Sequence, residues 1–238
     1  MCDLGRLLGE AEIPVSEEAV QGLKLYHSML LDWNTRMDLT SVSQQDMASR
    51  HFVDSLLPLK AKDLFPLGAR VIDVGTGAGF PGLAIAIARP DCFVTLLEAQ
   101  GKRCQFLRAV CGEMKIENAE VVQERAEVLG RMEGRRESYD RAIARAVAPL
   151  NVLCEYLLPF VRLGGLALCW KGPAAEEEMQ DALFASSALG GEMGNIIVMP
   201  QGDIRHVVVP VKKIEKTLPQ YPRKNGIPTK RPLKSGKK

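Results

Sequence analysis

The stretch Asp73-Val74-Gly75-Thr76-Gly77-Ala78-Gly79-Phe80-Pro81-Gly82 puts four glycines into eight residues, directly behind the β-branched run Val71-Ile72. Glycines are needed where a chain leaves a strand, turns at positive φ and lets a ligand approach its backbone before a helix opens. A turn that merely joins strand to helix would not need so many. Two ligand classes compete for this loop. Gly77, Gly79 and Gly82 match G-x-G-x-x-G, and Glu98 lies 21 residues past Gly77, the spacing of the ribose-binding acid in a dinucleotide site. The register points elsewhere. The strand ends at Gly75, so the triplet that meets its end is Gly75-x-Gly77-x-Gly79, preceded by the charged Asp73. An acid there suits a ligand with an ammonium group and repels a pyrophosphate. S-adenosylmethionine has an ammonium and a sulfonium and no phosphate, so the register favours a methyl donor over a nicotinamide dinucleotide.

The other candidates follow later strands. Glu98 ends the second strand, where a carboxylate accepts both ribose hydroxyls in charge-assisted bonds worth roughly 1.5–3 kcal/mol. Ala126-Glu127 follow the third strand, at the level of an adenine ring. Arg141 and Arg145 flank the fourth in DRAIARA, and Lys171 follows the fifth in CWKG. All belong to the carboxyl ends of parallel strands, where ligands bind in open α/β sheets. No catalytic residue is assigned: His27, His51 and His206 read as structural, and Cys154 and Cys169 sit in apolar surroundings as core thiols.

The elements that must hold these residues are legible in outline. Ser16 caps a helix whose Glu17 and Glu18 suit the positive end of the dipole, with Val20, Leu23, Tyr26, Leu30 and Trp33 at helical spacing. DMASRHFVDSLLPLKAK reads as a second helix. From Ala69 strands and helices alternate, which predicts a parallel sheet covered on both faces. NIIVMP and RHVVVPVKK then read as a terminal antiparallel hairpin. The division expected is a helical cap over 1–67, a ligand-binding core over 68–220 and a basic tail over 221–238.

Composition sets the class. With 46% hydrophobic and 25% charged residues in 238, the chain is an ordinary globular one. The longest stretch without a charge, 74–88, is 15 residues and holds four glycines, too short and too broken for a membrane span of roughly 20 apolar residues. MCDLGRLLGEAEIP fails as a secretory signal, which places the chain in the cytoplasm. Six cysteines form no CxxC pair and no zinc spacing, so no metal is expected. The net charge of +2 hides an asymmetry: residues 201–238 hold 11 basic against 2 acidic side chains. That end is a candidate contact for a polyanion, through Arg205, Lys212, Lys213, Lys216, Arg223, Lys224, Lys230 and Arg231. The last eight residues also read as a solubilising, partly disordered end.

RMDLTSV, RHFVDSLLPL, VIDVGTGAGFPGLAIAI, QERAE, AIARAVAPL, WKG and YPRKNGIPTKRPL together resemble the bacterial 16S ribosomal RNA guanine-N7 methyltransferases, the glucose-inhibited-division-B family. The resemblance runs from about residue 20 to 233. It implies a seven-stranded, Rossmann-like class I methyltransferase fold of the α/β class. It also implies S-adenosylmethionine as donor without a metal, and a guanine of small-subunit ribosomal RNA as acceptor. Membrane and DNA have no part in this expectation, and a monomer is expected. Carried over by position, the donor contacts fall on Gly75, Phe80, Ala126-Glu127 and Arg145, beside the residue-based candidates Asp73, Gly77, Gly79 and Glu98. Lys171, Arg205, Lys212, Arg223 and Lys224 are the RNA-binding set. The segment from Glu124 to Asp140 is longer than the family's pattern, and Arg145 is preferred to Arg141 for its Ile-x-Arg-Ala context. Guanine N7 presents an in-plane lone pair and needs no base, so positioning against the sulfonium methyl could supply up to roughly 7–11 kcal/mol. The competing readings are a nicotinamide-dependent oxidoreductase and a non-catalytic RNA-binding module that keeps a nucleotide pocket.

Overall fold

The computed structural model describes residues 3–172, 175–201 and 204–235. Five apolar runs become β1 (Arg70–Val74), β2 (Phe93–Glu98), β3 (Ala119–Gln123), β4 (Tyr139–Arg145) and β5 (Val161–Lys171). They lie parallel in the order β3-β2-β1-β4-β5. Strands buried on both faces read as near-continuous hydrophobic runs, as in Val71–Val74, where every residue is buried. Helices α4 (Gly82–Ala88), α5 (Gly101–Glu113), α6 (Ala126–Leu129) and α7 (Leu150–Leu157) make the crossovers, and α8 (Ala175–Ala188) follows β5.

The edge beyond β5 is antiparallel. The strand β8 (Ile204–Lys213) runs against β5, and both β6 (Gly191–Met193) and β7 (Ile197–Gln201) pair with β8. Met193 faces Val211, whereas Ile197 faces Val208. The register slips by one residue between them, so β6 and β7 are two pieces of one interrupted edge strand. The expected hairpin is therefore present, and the short β6 takes the described sheet to eight strands.

The N-terminal helices are α1 (Leu4–Glu10) and α2 (Glu17–Asn34), the latter capped by Ser16 through a 3.1 Å bond to the Ala19 amide. The expected second helix is broken into a π turn (Ala48–Val53), the short α3 (Asp54–Leu56) and a 3-10 turn (Leu57–Lys60). Pro58 lacks the amide a regular helix needs there. Leu4, Leu8, Leu23, Tyr26, Leu30, Phe52 and Leu56 share one core with Val94 of β2 and Leu107 of α5. The cap is thus the covering layer of one sheet face. The other face packs on α7 and α8.

The C-terminal segment, with its short α9 (Ile227–Lys230), is seated on the same domain. Asn151 Nδ2 donates to the Leu233 carbonyl at 2.8 Å, and Tyr156 and Thr229 share a 2.9 Å hydroxyl bond. Arg131 and Arg136 hold the carbonyls of residues 217–222. Of the last eight residues, 236–238 lie outside the described part.

Candidate functional site

The glycine loop leaves β1 with Gly75, Gly77 and Gly79 at φ of 71°, 61° and 101°. A Cβ on Gly77 would find nothing closer than the Gly75 carbonyl at 4.0 Å, so this position opens into space that a ligand can use. Gly79 serves a different end. Its Cβ would come within 2.5 Å of the Tyr26 hydroxyl, which already donates to the Ala78 carbonyl. Gly79 therefore allows close packing on α2, a correction to its expected place among the ligand contacts. Gly82 is likewise pressed against Asp73.

Asp73 also departs from expectation. It is fully enclosed beneath the loop, where Oδ2 accepts from the Gly82 amide at 2.7 Å and the Thr76 hydroxyl at 2.6 Å. Burial pushes its pKa up to about 6. Side chains alternate along β1, and the alternation turns this one toward the start of α4 rather than into the ligand space. It shapes the loop from below.

Three cavities run in a row along the carboxyl edge. The first, about 470 Å³, is lined by Gly75, Glu98, Arg103, Ala126, Glu127, Tyr156 and Thr229 among others. Glu98 Oε2 accepts from the Gly77 amide at 3.0 Å and Oε1 from the Gln100 amide at 2.8 Å. Each oxygen keeps acceptor capacity, so Glu98 joins the loop to the cavity and still has lone pairs for a diol. Glu127 accepts from the Gly226 amide at 2.9 Å and so ties the C-terminal segment over this cavity. The second, about 160 Å³, lies under the loop between Thr40, His51, Gly77, Phe80 and Arg145. The third, about 290 Å³, is bounded by Arg50, His51, Asp54, Arg145, Trp170, Lys171 and His206. Ala146 borders all three, at a φ of 57° unusual for a residue with a side chain.

Arg145 is the hinge of this row. It donates to the Arg50 carbonyl at 2.9 Å, to Asp54 Oδ2 at 2.8 Å and to His51 Nδ1 at 3.0 Å, and it lies 5.3 Å over the Phe80 ring. His51 stacks on Phe80 at 4.7 Å. Burial and the adjacent Arg145 charge bring the His51 pKa down to about 4, so its ring is neutral near pH 7. An accepting Nδ1 leaves the proton on Nε2, which lies 2.6 Å from the Thr40 hydroxyl. Burial raises the Asp54 pKa, but the bonds from His206 and Arg145 outweigh it and hold the carboxylate below its ordinary range. Arg141, by contrast, is buried at the far end of β4 on the carbonyls of Asp63 and Leu64. Sequence reasoning missed Asp54. Its signal was a lone acid among Phe52, Val53, Leu56 and Leu57, on a stripe that had to be buried.

The expected RNA contacts divide. Lys171 is largely buried and paired with Glu178 at 2.8 Å, so its charge is answered internally. Lys212 stands opposite Leu166, because β8 runs antiparallel and its basic end arrives at the far edge of the sheet. Neighbouring Lys213 is fully buried there, its pKa lowered by burial to about 8. Arg223 is locked in a bidentate pair with Glu155, which is only 1% exposed. Lys171, Lys213 and Arg223 are thus engaged within the fold, and Lys212 is exposed at the far edge of the sheet. Lys216, Lys224, Lys230 and Arg231 are exposed, and the side chain of Arg205 lies outside the described part.

Cys154 is pushed by burial up to about 12 and Cys169 well above the usual thiol range, which leaves no thiolate nucleophile in either. Among the described residues no cluster of metal-ligating side chains occurs, and no helix is long and apolar enough to cross a membrane.

The family model for rRNA small subunit methyltransferase G matches residues 19–208. The chain belongs to that family. Relatives named ribosomal RNA small subunit methyltransferase G include one from Alkaliphilus oremlandii, 45% identical over 93% of this chain and 94% of its own. Another, from Desulforamulus reducens, is 40% identical over 94% of each chain. Among solved structures, MtNAS in complex with S-adenosylmethionine aligns over 89% of this chain and 83% of its own, with a TM-score of 0.54 at 15% identity. A 16S rRNA (adenine(1408)-N(1))-methyltransferase from Catenulisporales acidiphilia aligns over 67% of this chain and 90% of its own, with a TM-score of 0.51 at 16% identity. At such identities the two structures speak for the class I methyltransferase fold alone. As a member of the rRNA small subunit methyltransferase G family, the chain is an S-adenosylmethionine-dependent methyltransferase. The residues present suit that donor: Gly77 leaves room for it, and Glu98 at the end of β2 would oppose a pyrophosphate.

Proposed function

We propose that this enzyme transfers the methyl group of S-adenosylmethionine to N7 of one guanine in 16S, small-subunit ribosomal RNA, acting as a monomer in the cytoplasm. The observation that carries the reading is the row of three cavities. In it, Glu98 and the start of α6 receive the adenosine and the Gly75–Gly77 turn the methionine end. The space between Arg145 and His206 is left for a base. Bound there, S-adenosylmethionine supplies an electrophilic methyl carbon.

The side chains act by placement. Glu98 offers carboxylate lone pairs to the ribose hydroxyls, the Ala126-Glu127 step borders the adenine, and Arg145 fixes the wall between donor and base. Arg145 keeps its own place through three acceptors and the Phe80 ring. Phe80 is nearly enclosed and belongs to that wall rather than to a stacking surface. An N7 acceptor suits a site whose buried thiols cannot attack a pyrimidine ring. The exposed Lys224, Lys230 and Arg231 lie on the segment seated over the first cavity, and we assign them to the RNA backbone, as phosphate contacts position a complex without reading sequence.

Incubation of the purified protein with labelled donor and either naked 16S RNA or small-subunit particles, followed by nucleoside analysis, tests this. Label in 7-methylguanosine is expected; label in another nucleoside overturns the N7 assignment.

A further inference from the structure

The third cavity holds an arrangement that placement of the donor does not use. Asp54 is 3% exposed, yet it stands at the ligand edge of the sheet with both oxygens engaged. Oδ2 takes Arg145, and Oδ1 takes Nδ1 of His206. The Trp170 indole donates to the Asp54 carbonyl at 3.3 Å and holds this turn against β5. An anionic carboxylate at Nδ1 places a proton on that nitrogen. In the neutral ring Nε2 is then the acceptor, and among the described residues Nε2 has no partner. The His206 side chain is 24% exposed and borders the 290 Å³ cavity. A carboxylate behind an imidazole whose far nitrogen meets a substrate cavity is the geometry of a general base.

Resting on the N7 reading above, we propose that His206 is a catalytic residue whose Nε2 accepts the N1 proton of the target guanine, with Asp54 as its positioning partner. N7 itself needs no base; the need arises at N1, which becomes acidic as N7 is methylated. The N7 lone pair forms the new bond to the methyl carbon, the carbon–sulfur bond breaks and its electron pair stays on sulfur. As the new bond forms the purine gains positive charge that sharply acidifies N1–H, so the proton begins to leave in the same transition state. Passing that proton to Nε2 leaves a neutral zwitterionic base and an imidazolium facing Asp54. The imidazolium later gives its proton to water. N1 and N7 lie on neighbouring edges of guanine, either side of O6, and the cavity beside the glycine loop and the cavity beside His206 adjoin at Arg145. The charged or titratable groups facing His206 from the packed elements are Asp54, His51 and Arg50 of the cap, Arg145 of β4 and Lys171 of β5.

Single-turnover methyl transfer to small-subunit RNA by His206→Ala and His206→Asn is the test, with donor affinity by calorimetry and a melting curve for each. In His206→Asn the side-chain amide takes the place of Nδ1–H and keeps the bond to Asp54, so the cavity wall survives while the acceptor is lost. Both variants are expected to be about 100-fold slower near pH 7 with donor affinity unchanged. The deficit should shrink as rising pH ionises N1 unaided, and added imidazole should restore part of the rate in His206→Ala. A wild-type rate in either variant, or a deficit constant with pH and untouched by imidazole, overturns the proposal. If the wild-type product is not 7-methylguanosine, the N7 reading falls and this one with it. If it is, and His206→Asn keeps the rate, only this one falls.

Discussion

Four glycines stand in one loop, and they answer to different constraints. Gly77 faces open space at a positive φ, whereas Gly79 faces the Tyr26 hydroxyl. Gly77→Ala should cost roughly 1–2 kcal/mol of left-handed strain and weaken S-adenosylmethionine binding at least tenfold. Gly79→Ala adds overpacking worth about 1–3 kcal/mol and should lower the melting temperature more. Melting curves and donor calorimetry on the pair check this; equal melting temperatures with equal donor affinities would remove the distinction. His51 makes a second residue-scale prediction. Its folded pKa, near 4, lies below the ordinary value of 6.5, so the unfolded chain binds the proton first as pH falls. Its contribution is complete above about pH 6.5 and is lost toward pH 4, up to about 3 kcal/mol. Asp73, raised to about 6, works in the opposite direction, gaining stability as pH falls from there. Denaturant melts of wild type and His51→Gln at both ends of the window isolate the first effect. Stability differences that do not change with pH would contradict it.

At the scale of elements, the C-terminal segment decides what the basic end can do. Removing the Arg223 guanidinium leaves Glu155 buried and unpaired, at a cost of about 3 kcal/mol or more. Arg223→Ala should therefore melt early with an unchanged salt slope of RNA binding. A triple Ala variant at Lys224, Lys230 and Arg231 should keep its stability and flatten that slope by about 0.7 per lost phosphate contact. The reverse pattern would return Arg223 to the RNA surface. The same segment shows where sequence reading ran out. Local signals sufficed for the Ser16 cap, the helix behind it, the glycine turn and the alternation of strands and helices, because each is written in neighbouring residues. The reversal of β8 against β5 is a long-range pairing, and it sends Lys212 and Lys213 away from the ligand edge. The partners that neutralise Lys171 and Arg223 are 7 and 68 residues distant. Asp54 and His206, 152 residues apart, meet only once the sheet is closed over the cap.

The molecule as a whole is one sheet with a cap on one face and a C-terminal strap on the other side of its ligand edge. The three cavities lie in sequence along that edge; Ala146 borders all of them and Arg145 stands between the second and the third. On the reading proposed above, this edge brings a guanine N7 to a sulfonium methyl. The most direct measurement is borohydride and aniline cleavage of small-subunit RNA after incubation of the purified protein with S-adenosylmethionine. Chain scission at a single guanine, dependent on both protein and donor, is the predicted result. Incorporation of the methyl group without scission at any guanine would contradict it.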